Sequence, residues 1–486
     1  MAFITCPVTD ASQKFAVLPA VIAGSRTILY QNLDVMVDGV AERLRHLELK
    51  SGDHVAVIHS NSPETILVLF GLWRVGAVAC LINPKEPYEA INRQAAAVQC
   101  KFLLAPNTLQ LGLKVPGAKG VVISNLISHN PVQPQENPEM NRRSDLTRPV
   151  TIIFSSGSSG APKAAVHSLG NHYFNAKGSN EHLPVAPGDR WLLSLPLYHV
   201  SGLGIMCRCL LDGGGVVVPS ATDELTASIE KYAVTHISLV PTQLIRLLKD
   251  ENAKRLLPKL KAILLGGAPI PPKLLEHAKE LDLPVYITYG LTETASQVAT
   301  SPCLKNSNLP LTANVLPYRQ IRIAADGEIL VKGETLFLGY WEGGEIRRPL
   351  TADGWFATGD FGQLDNEGLT VTGRKDSMFV SGGENIYPEE IEKALLDIAD
   401  IEEAVVVPQD DEEFGQRPVA FIRAAGGQVI TRRKITTALE KHLPRFKIPQ
   451  AFYLFPAKVP QGGLKTNRST FQKFLTEKNT ALTLLN

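Results

Sequence analysis

The sequence Phe-Ser-Ser-Gly-Ser-Ser-Gly-Ala-Pro-Lys-Ala-Ala-Val-His-Ser occupies residues 154–168 and continues the apolar, β-type run Val-Thr-Ile-Ile-Phe at 150–154. Gly157 and Gly160 let the backbone come close to a ligand, so that successive N–H groups can form a concave site for an anion. Lys163 adds a mobile positive charge. Hydroxyl donors are supplied by Ser155, Ser156, Ser158 and Ser159. This combination predicts a loop that binds a polyphosphate.

Two other kinds of loop share part of this pattern. Composition alone favours a flexible Gly/Ser linker, but a linker does not explain the preceding strand or the closing Pro-Lys. A P-loop requires glycine directly before the lysine and Ser or Thr after it, whereas Pro162 precedes Lys163 and Ala164 follows it. No G-x-G-x-x-G sequence lies in a strand-to-helix context either. The phosphate-binding prediction therefore needs support from the rest of the chain.

Length and composition limit the classes of protein to consider. A chain of 486 residues exceeds the usual size of one domain. Its 49 Lys and Arg against 48 Asp and Glu give a net charge of +1, which gives no reason to expect nucleic acid or an anionic membrane as partner. No apolar stretch is long enough to span a bilayer, and residues 1–6 lack the pattern of a secretory signal. Six scattered cysteines predict reduced thiols in a cytoplasmic protein.

Short apolar strands alternate with helical stretches through most of the chain before residue 300. Strands are predicted at 55–58, 121–123, 191–195, 215–218, 237–240 and 262–265, and helices at 33–47, 63–75, 223–233, 241–252 and 271–281. The alternation indicates an α/β fold with mostly parallel, buried sheets.

The pattern changes after about residue 313. Short strands at 321–323, 328–331 and 369–371 indicate a small β subdomain. A compact α+β segment follows, with helices predicted at 388–397, 431–443 and 468–477 and strands at 402–408 and 418–423. We therefore predict a large N-terminal domain, residues 1–375, and a small α+β C-terminal domain, residues 377–486, with the boundary at Asp376.

Two residues near a predicted helix are candidates for a second ligand pocket. His199 lies beside a proline turn and Gly202; a lone histidine is more often structural, but this setting favours a pocket wall. Arg208 interrupts the apolar stretch 203–211. An unpaired guanidinium is costly to bury, so Arg208 should have an anionic partner or reach solvent. A structural salt bridge and a ligand contact fit this pattern equally well.

Groups suited to a nucleotide recur after later strands. Gly266-Gly267-Ala268 follows a buried strand, where glycines let a flat ring approach the backbone. Further along, Tyr289 can stack on a base, Thr292 can donate to a phosphate, and Glu293 can hold Mg²⁺ through oxygen.

The last third of the chain adds three charged candidates. Asp360 follows a tight glycine turn, and its two oxygens suit bonding to ribose hydroxyls. Arg374 offers a fork for the same sugar or for phosphate. Lys465 follows a Gly-rich turn, where a lysine is usually a solvated surface charge. It is a functional candidate only because of its position after the other motifs.

Taken in order, these segments resemble the core motifs of the adenylate-forming superfamily: acyl- and aryl-CoA synthetases, luciferases and the adenylation domains of peptide synthetases. The resemblance covers residues from about 28 to 473. It implies that the nucleotide is bound by Ser155, Ser156, Gly157, Ser158, Ser159, Gly160, Lys163, Gly266, Gly267, Ala268, Tyr289, Gly290, Asp360 and Arg374. It implies that the acid is bound by His199, Arg208 and Gly290, that Mg²⁺ is held by Glu293, and that the catalytic residues are Thr292, Glu293, His199 and Lys465.

The resemblance also implies a reaction in two steps. A carboxylate attacks the α-phosphorus of ATP to give an acyl-adenylate and pyrophosphate, while Mg²⁺ and lysines stabilise the phosphate charge. The thiol of CoA, a co-substrate, then displaces AMP. One site cannot present both Lys465 and a CoA channel, so the small domain is expected to rotate about a hinge at Asp376.

Finer features resemble the o-succinylbenzoate–CoA ligases of menaquinone biosynthesis. They are the stretch 193–202 with Arg208, the stretches 238–244 and 413–418, and the closing Gly462-Gly463-Leu464-Lys465, in which Leu464 replaces the glycine usual in the superfamily. Three hypotheses follow: this ligase, another acyl- or aryl-CoA ligase, and a non-catalytic AMP/ATP-binding sensor. The intact Lys163, Glu293, Asp360 and Lys465 argue against the sensor. The oligomeric state stays open, with a homodimer as one alternative.

Overall fold

The computed structural model of the chain describes residues 3–106, 112–127, 142–155, 162–183, 185–220, 222–307, 312–381, 384–411, 413–425, 430–456, 459, 468–476 and 482–485. Two long sheets covered by helices form a large N-terminal part, which also contains a small antiparallel sheet, and a smaller α+β part follows. The predicted fold class is confirmed.

One long sheet carries the predicted phosphate loop. Within the described ranges it has eight strands, in the spatial order Glu345–Arg347, Gly339–Glu342, Lys163–Ser168, Pro149–Ser155, Val78–Leu81, His54–Val57, Phe102–Ala105 and Lys119–Val122. The last five of these run parallel to one another. Lys163–Ser168 pairs antiparallel with Pro149–Ser155, so the loop joins two neighbouring strands at one end of the sheet.

The other long sheet carries the motifs that follow in the sequence. Nine strands form it in the part of the chain that the structure describes: Asn314–Val315, Ser296–Thr300, Val285–Leu291, Ala262–Gly266, His236–Leu239, Arg190–Leu192, Gly215–Val217, Pro19–Ala23 and Arg26–Leu29. The strands from Val285–Leu291 to Pro19–Ala23 run parallel, and those at both ends run antiparallel to their neighbours. Ala262–Gly266 and Val285–Leu291 therefore end at the same edge, where ligands of α/β sheets usually bind.

The small β subdomain is also as predicted. Its strands lie in the antiparallel order Arg319–Ile323, Glu328–Gly333, Phe356–Leu364 and Leu369–Arg374. Asp360 lies directly opposite Arg374. The antiparallel pair Phe3–Thr5 and Arg143–Asp145 lies apart from these sheets.

The C-terminal part has its own apolar core. Its strands are Phe379–Ser381, Glu384–Ile386, Ile401–Asp411, Gly415–Ala424 and Ala451–Leu454, and its helices are Pro388–Leu396, Arg432–Leu439 and Arg468–Thr476, with a 3₁₀ turn at Arg445–Lys447. Ile391, Val406 and Phe452 are buried together in a cluster made of residues from 379 onward. The boundary at Asp376 stays a prediction.

Local signals set the ends of the helices in the N-terminal part. These helices are Pro7–Lys14, Tyr30–His46, Pro63–Val75, Tyr88–Ala97, Ile123–Leu126, Leu169–Asn180, Val200–Asp212, Leu225–Lys231, Pro241–Leu247, Glu251–Leu256 and Pro272–Glu280, with 3₁₀ turns at Leu257–Lys259, Thr292–Thr294 and Leu304–Asn306. The helix Pro63–Val75 begins after the Ser62 cap and ends at Gly76, whose φ of 88° favours glycine. The single helix predicted over 241–252 is wrong, because Asp250 caps a second helix that begins at Glu251.

Candidate active site

The structure describes the two ends of the predicted phosphate loop. Ser155 ends one strand, Lys163 begins the next, and the two are register partners. The Lys163 side chain is exposed, so its ammonium can reach a ligand. The other predicted loop residues, Ser156, Gly157, Ser158, Ser159 and Gly160, lie outside the described residues.

A tyrosine that sequence reasoning missed joins Lys163 to Glu293. The Tyr340 hydroxyl donates to Glu293 Oε1 over 2.6 Å, and the Lys163 ammonium lies 5.3 Å from the centre of the Tyr340 ring. Burial and the nearby Glu293 carboxylate raise the pKa of Tyr340 above its ordinary value, so the phenol keeps its proton and acts as the donor. The lysine of the phosphate loop and the predicted metal ligand are thus brought together.

The backbone of Thr292 and Glu293 is fixed from the neighbouring sheet. The His167 Nε2 atom lies 2.7 Å from the carbonyl oxygen of Thr292, and the Phe337 N–H donates to the carbonyl of Glu293 over 2.8 Å. Burial lowers the pKa of His167 to about 4, so the ring is neutral near pH 7 and we assign its proton to Nε2, where it meets an acceptor. Two sheets therefore meet at the turn that carries both predicted ligand groups.

Tyr289, Asp360, Arg374 and Asp376 form a group that we call the carboxylate cluster. The Tyr289 hydroxyl donates to Asp360 Oδ2 over 2.7 Å, and Arg374 Nη1 lies 3.2 Å from Asp360 Oδ1. Arg374 also pairs with Asp376 over 2.9 Å, which ties the predicted ribose site to the predicted hinge. Burial raises the pKa of Asp360, an effect that Arg374 partly offsets.

Close packing explains two of the glycines at this edge. A Cβ atom on Gly266 would lie 2.6 Å from the carbonyl oxygen of Thr288, and one on Gly290 would lie 2.0 Å from that of Ser296. Gly267 has a φ of +82° and, like Ala268, is exposed. The sheet needs Gly266 and Gly290 for its own packing, while Gly267 and Ala268 leave backbone open at the edge.

The predicted acyl-site arginine is enclosed by the fold. Arg208 lies on the helix Val200–Asp212 with only 1% of its surface exposed. Its guanidinium carbon lies 4.5 Å from the centre of the Trp191 ring, and its Nη1 donates to Gln297 Oε1 over 2.9 Å. Both of these contacts are with neutral groups, and its Nε has no hydrogen-bond partner among the described residues. Of the two alternatives left open by the sequence, the described residues offer no partner for a salt bridge, and the ligand contact stays a prediction.

A second arginine lies close to the first. Arg319 donates from Nε to the backbone carbonyl of Gln297 over 2.9 Å and from Nη1 to that of Pro317 over 2.5 Å. Burial lowers the pKa of Arg208 to about 10, and burial together with Arg208 lowers the pKa of Arg319 to about 9. Both are charged at neutral pH. We call Arg208, Gln297 and Arg319 the guanidinium cluster.

One β-hairpin connects the two clusters. Its strands are Val285–Leu291, which carries Tyr289, and Ser296–Thr300, which carries Gln297, and Gly290 lies opposite Gln297 in the register. Sequence reasoning found Tyr289 and Arg208 but not Gln297 or Arg319, because a glutamine and an arginine at strand ends have no local pattern that marks them.

The remaining predicted residues are placed as follows. His199 is the N-cap residue of the helix that carries Arg208; it is exposed, and its ring packs edge-on against Tyr198 with 4.8 Å between centroids. Asp376 is exposed beside Arg374. Lys465 lies outside the described residues.

The donor set at Glu293 fits magnesium better than a metal held by protein ligands alone. Across the described residues, no group of three or more His, Cys, Asp or Glu could hold a metal ion. Mg²⁺ usually takes one or two carboxylates together with substrate phosphates and water, and a single carboxylate beside a phosphate loop matches that pattern.

No helix in the described ranges has both the length and the apolar character needed to cross a membrane.

Two protein-family models match the chain. The AMP-binding enzyme model matches residues 8–341, and the model of the AMP-binding enzyme C-terminal domain matches residues 390–463. The chain is 35% identical over 453 residues to the 2-succinylbenzoate–CoA ligase of Salmonella typhimurium, with 92% of each chain covered. It is 33% identical over 464 residues to the protein of that name from Bacillus cytotoxicus, with 93% of this chain and 94% of the relative covered.

The chain is also similar to solved structures of proteins with this activity in their names. The chain is similar to o-succinylbenzoate CoA synthetase (MenE) from Bacillus subtilis in complex with the acyl-adenylate intermediate OSB-AMP, with a TM-score of 0.86, 28% identity and coverage of 97% of this chain and 99% of the other. It is also similar to the B. subtilis protein in complex with ATP and magnesium ion, with a TM-score of 0.83, 29% identity and coverage of 93% and 96%.

Proposed function

The chain belongs to the AMP-binding enzyme family, and from that premise we propose that it is an AMP-forming acid–thiol ligase acting on o-succinylbenzoate. A carboxylate of the acid attacks the α-phosphorus of ATP, and pyrophosphate leaves. The CoA thiol then attacks the acyl carbon, AMP leaves, and a thioester remains. Relatives that carry the ligase name and a similar protein that holds OSB-AMP support this assignment.

Arg208 is the observation that carries the choice of acid. Its guanidinium is buried and bonded to a neutral amide, and its Nε has no partner among the described residues, a state that costs free energy unless a ligand supplies an anion. o-Succinylbenzoate has two carboxylates: one is activated, and the other can pair with the planar fork of Arg208. A monocarboxylic acid would leave this cation unpaired.

The carboxylate cluster supports binding of the ribose. A carboxylate has about four acceptor sites, and the described residues fill two of those of Asp360, with Tyr289 and Arg374. The others are available to ribose hydroxyls. Lys163 and Thr292 are assigned to the phosphates. Glu293 would hold Mg²⁺, which supplies neutralisation of the phosphate charge when bound.

We further propose that the part after Asp376 rotates between the two half-reactions, with Lys465 needed only for the first. Asp376→Pro fixes φ near −65° and should hinder that rotation. The variant is expected to release pyrophosphate in a single turnover and to fail in making thioester. A normal steady-state rate would place the pivot elsewhere.

The activity itself is tested with a panel of carboxylic acids, each incubated with ATP, Mg²⁺ and CoA, with AMP, pyrophosphate and thioester measured. o-Succinylbenzoate should give the highest kcat/KM. Another acid giving the highest value would assign a different acyl- or aryl-CoA ligase activity, and absence of pyrophosphate with every acid would indicate a nucleotide sensor. A cytoplasmic location and a homodimer stay predictions, tested by fractionation and by sedimentation.

A further inference from the structure

The side-chain amide of Gln297 is the most fully bonded polar group of the guanidinium cluster. Its Oε1 accepts from Arg208 Nη1 over 2.9 Å and from the Ser179 hydroxyl over 2.7 Å. Its Nε2 donates to Thr300 Oγ1 over 2.9 Å. Gln297 is itself only 1% exposed. The amide therefore has both lone pairs of its oxygen in use and sits in a fixed environment.

The orientation of this amide follows from the donors around it. A guanidinium can only donate, so the group that faces Arg208 must be the amide oxygen. On the other side, the Thr300 hydroxyl that receives the amide N–H donates onward to Thr288 Oγ1 over 3.1 Å. Turning the amide over would set two donors against each other at Arg208. Gln297 thus has one acceptable orientation.

Space for the guanidinium is provided by the helix that carries it. A Cβ atom on Gly204, one turn before Arg208, would lie 3.0 Å from Arg208 Nη1, so the position next to the guanidinium is left open. The Trp191 ring lies on the guanidinium 4.5 Å away. Arg208 is held by Gln297 and by the Trp191 ring, and neither of these groups carries a negative charge.

We propose that Gln297 is a specificity-determining positioning residue, which fixes the Arg208 guanidinium while leaving its positive charge for the second carboxylate of the acid. This inference rests on the proposed function. The important property of Gln297 is that it accepts a hydrogen bond without being an anion. A carboxylate in the same place would form an ion pair with Arg208 inside the protein and would also be attracted by Arg319. It would therefore compete with the carboxylate of the substrate.

The matched pair of substitutions is Gln297→Glu and Gln297→Met. Glu has almost the shape of Gln and keeps an acceptor toward Arg208 and Ser179, but adds a negative charge. Met keeps the length and removes the acceptor without adding charge. If Gln297 acts by leaving Arg208 charged and oriented, the two variants should differ in a defined order.

The substrates for the test are o-succinylbenzoate and its two monocarboxylic analogues, in which one or the other carboxylate is replaced by hydrogen. The analogue that is still activated serves as the reference acid, because it lacks the group that would pair with Arg208. For Gln297→Glu, the KM for o-succinylbenzoate should rise about 100-fold, as for loss of a buried ion pair, and the KM for the reference acid should fall or stay unchanged. For Gln297→Met the rise should be about tenfold. The KM for ATP should stay the same in both.

Measurements of thermal midpoint and a double variant exclude a merely structural role. The midpoint of Gln297→Glu should not fall, because the new carboxylate lies among buried cations. In Arg208→Met/Gln297→Glu, the added effect of Glu on the KM for o-succinylbenzoate should disappear. A Gln297→Glu enzyme that still prefers o-succinylbenzoate over the reference acid would overturn the inference, and so would equal losses for both acids with a lowered midpoint. A wild-type enzyme that prefers the reference acid would refute the proposed function instead.

Discussion

The carboxylate cluster and the guanidinium cluster share one β-hairpin but balance their charges differently. In the carboxylate cluster, Asp360 faces the opposite charge of Arg374 and a hydroxyl donor from Tyr289. In the guanidinium cluster, Arg208 and Arg319 donate hydrogen bonds to neutral acceptors, and the carboxylate of Glu181 acts on Arg319 only through its field. Each charged group of the first cluster has a partner of opposite sign, whereas Arg208 in the second has none among the described residues.

This difference indicates how binding energy is divided between the two substrates. A nucleotide that binds at the carboxylate cluster donates hydrogen bonds to lone pairs that are still free. It neutralises little buried charge, because the charged groups there are already paired. An acid that brings an anion to Arg208 offsets a desolvated cation, and such pairs have large coupling energies when both partners are buried. We therefore expect the affinity for the acid to depend strongly on one residue, and the affinity for ATP to be spread over several.

The largest expected effect is that of Arg208→Met. Removing the guanidinium that we assign to the second carboxylate should raise the KM for o-succinylbenzoate by the equivalent of about 2–5 kcal/mol. The KM for ATP should stay nearly the same, because the carboxylate cluster is untouched. Steady-state kinetics with each substrate varied in turn measure both values.

Arg208→Lys is the control for charge against geometry. It keeps the positive charge but loses the planar fork, so it should recover part of the affinity. The thermal midpoint of Arg208→Met should not fall, since a buried unpaired cation is removed. A lowered midpoint with an unchanged KM for the acid would mean that Arg208 only supports the fold, and the two clusters would then not differ in function.

Particular residues mark where sequence reasoning was sufficient. Short apolar runs are local signals, and the predicted strands followed from them, whereas the end of the helix predicted over 241–252 was wrong. Asp360 and Arg374 were assigned to the same sugar because their side chains suit its hydroxyls, but their ion pair across one small sheet was not predicted. Arg208 was recognised as unusual because a charge in an apolar stretch must be compensated somewhere.

The residues that were missed act across the chain. Gln297 lies 89 residues from Arg208, and Tyr340 lies 47 residues from Glu293. His167 lies 125 residues from Thr292, whose carbonyl it meets. Each is an ordinary residue in an ordinary strand, and its role arises only when separate strands meet at the ligand edge. Periodicity and composition carry no information about contacts between residues so far apart in the sequence.

A smaller effect is expected from Asp360→Asn. The amide keeps the shape and one acceptor but loses the charge, so hydrogen bonds to the ribose should weaken by about 1.5–3 kcal/mol. This loss should appear as a higher KM for ATP, while the KM for o-succinylbenzoate stays unchanged. Because burial raises the pKa of Asp360, the charged form is already penalised, and the substitution should leave the thermal midpoint equal or higher. An increase in the KM for the acid as large as that for ATP would break the proposed division between the clusters.

The smallest expected effect is that of Tyr340→Phe. The ring that faces Lys163 remains, and only the hydroxyl that donates to Glu293 Oε1 is lost. A hydrogen bond to a carboxylate contributes about 1.5–3 kcal/mol, but this one orients Glu293 without touching the ligand, so only part of that energy should be lost from binding. The Mg²⁺ concentration needed for half-maximal ATP binding should then rise about fivefold. Calorimetric titration of ATP at several Mg²⁺ concentrations measures this shift, and Tyr453→Phe in the C-terminal part is the control for loss of a hydroxyl elsewhere.

Since Glu293 lies on the turn between the two clusters, the KM for o-succinylbenzoate is the decisive number. If it stays constant while the Mg²⁺ dependence shifts, the hairpin keeps the two clusters energetically separate. If it rises in parallel, the turn couples the two clusters into one connected site.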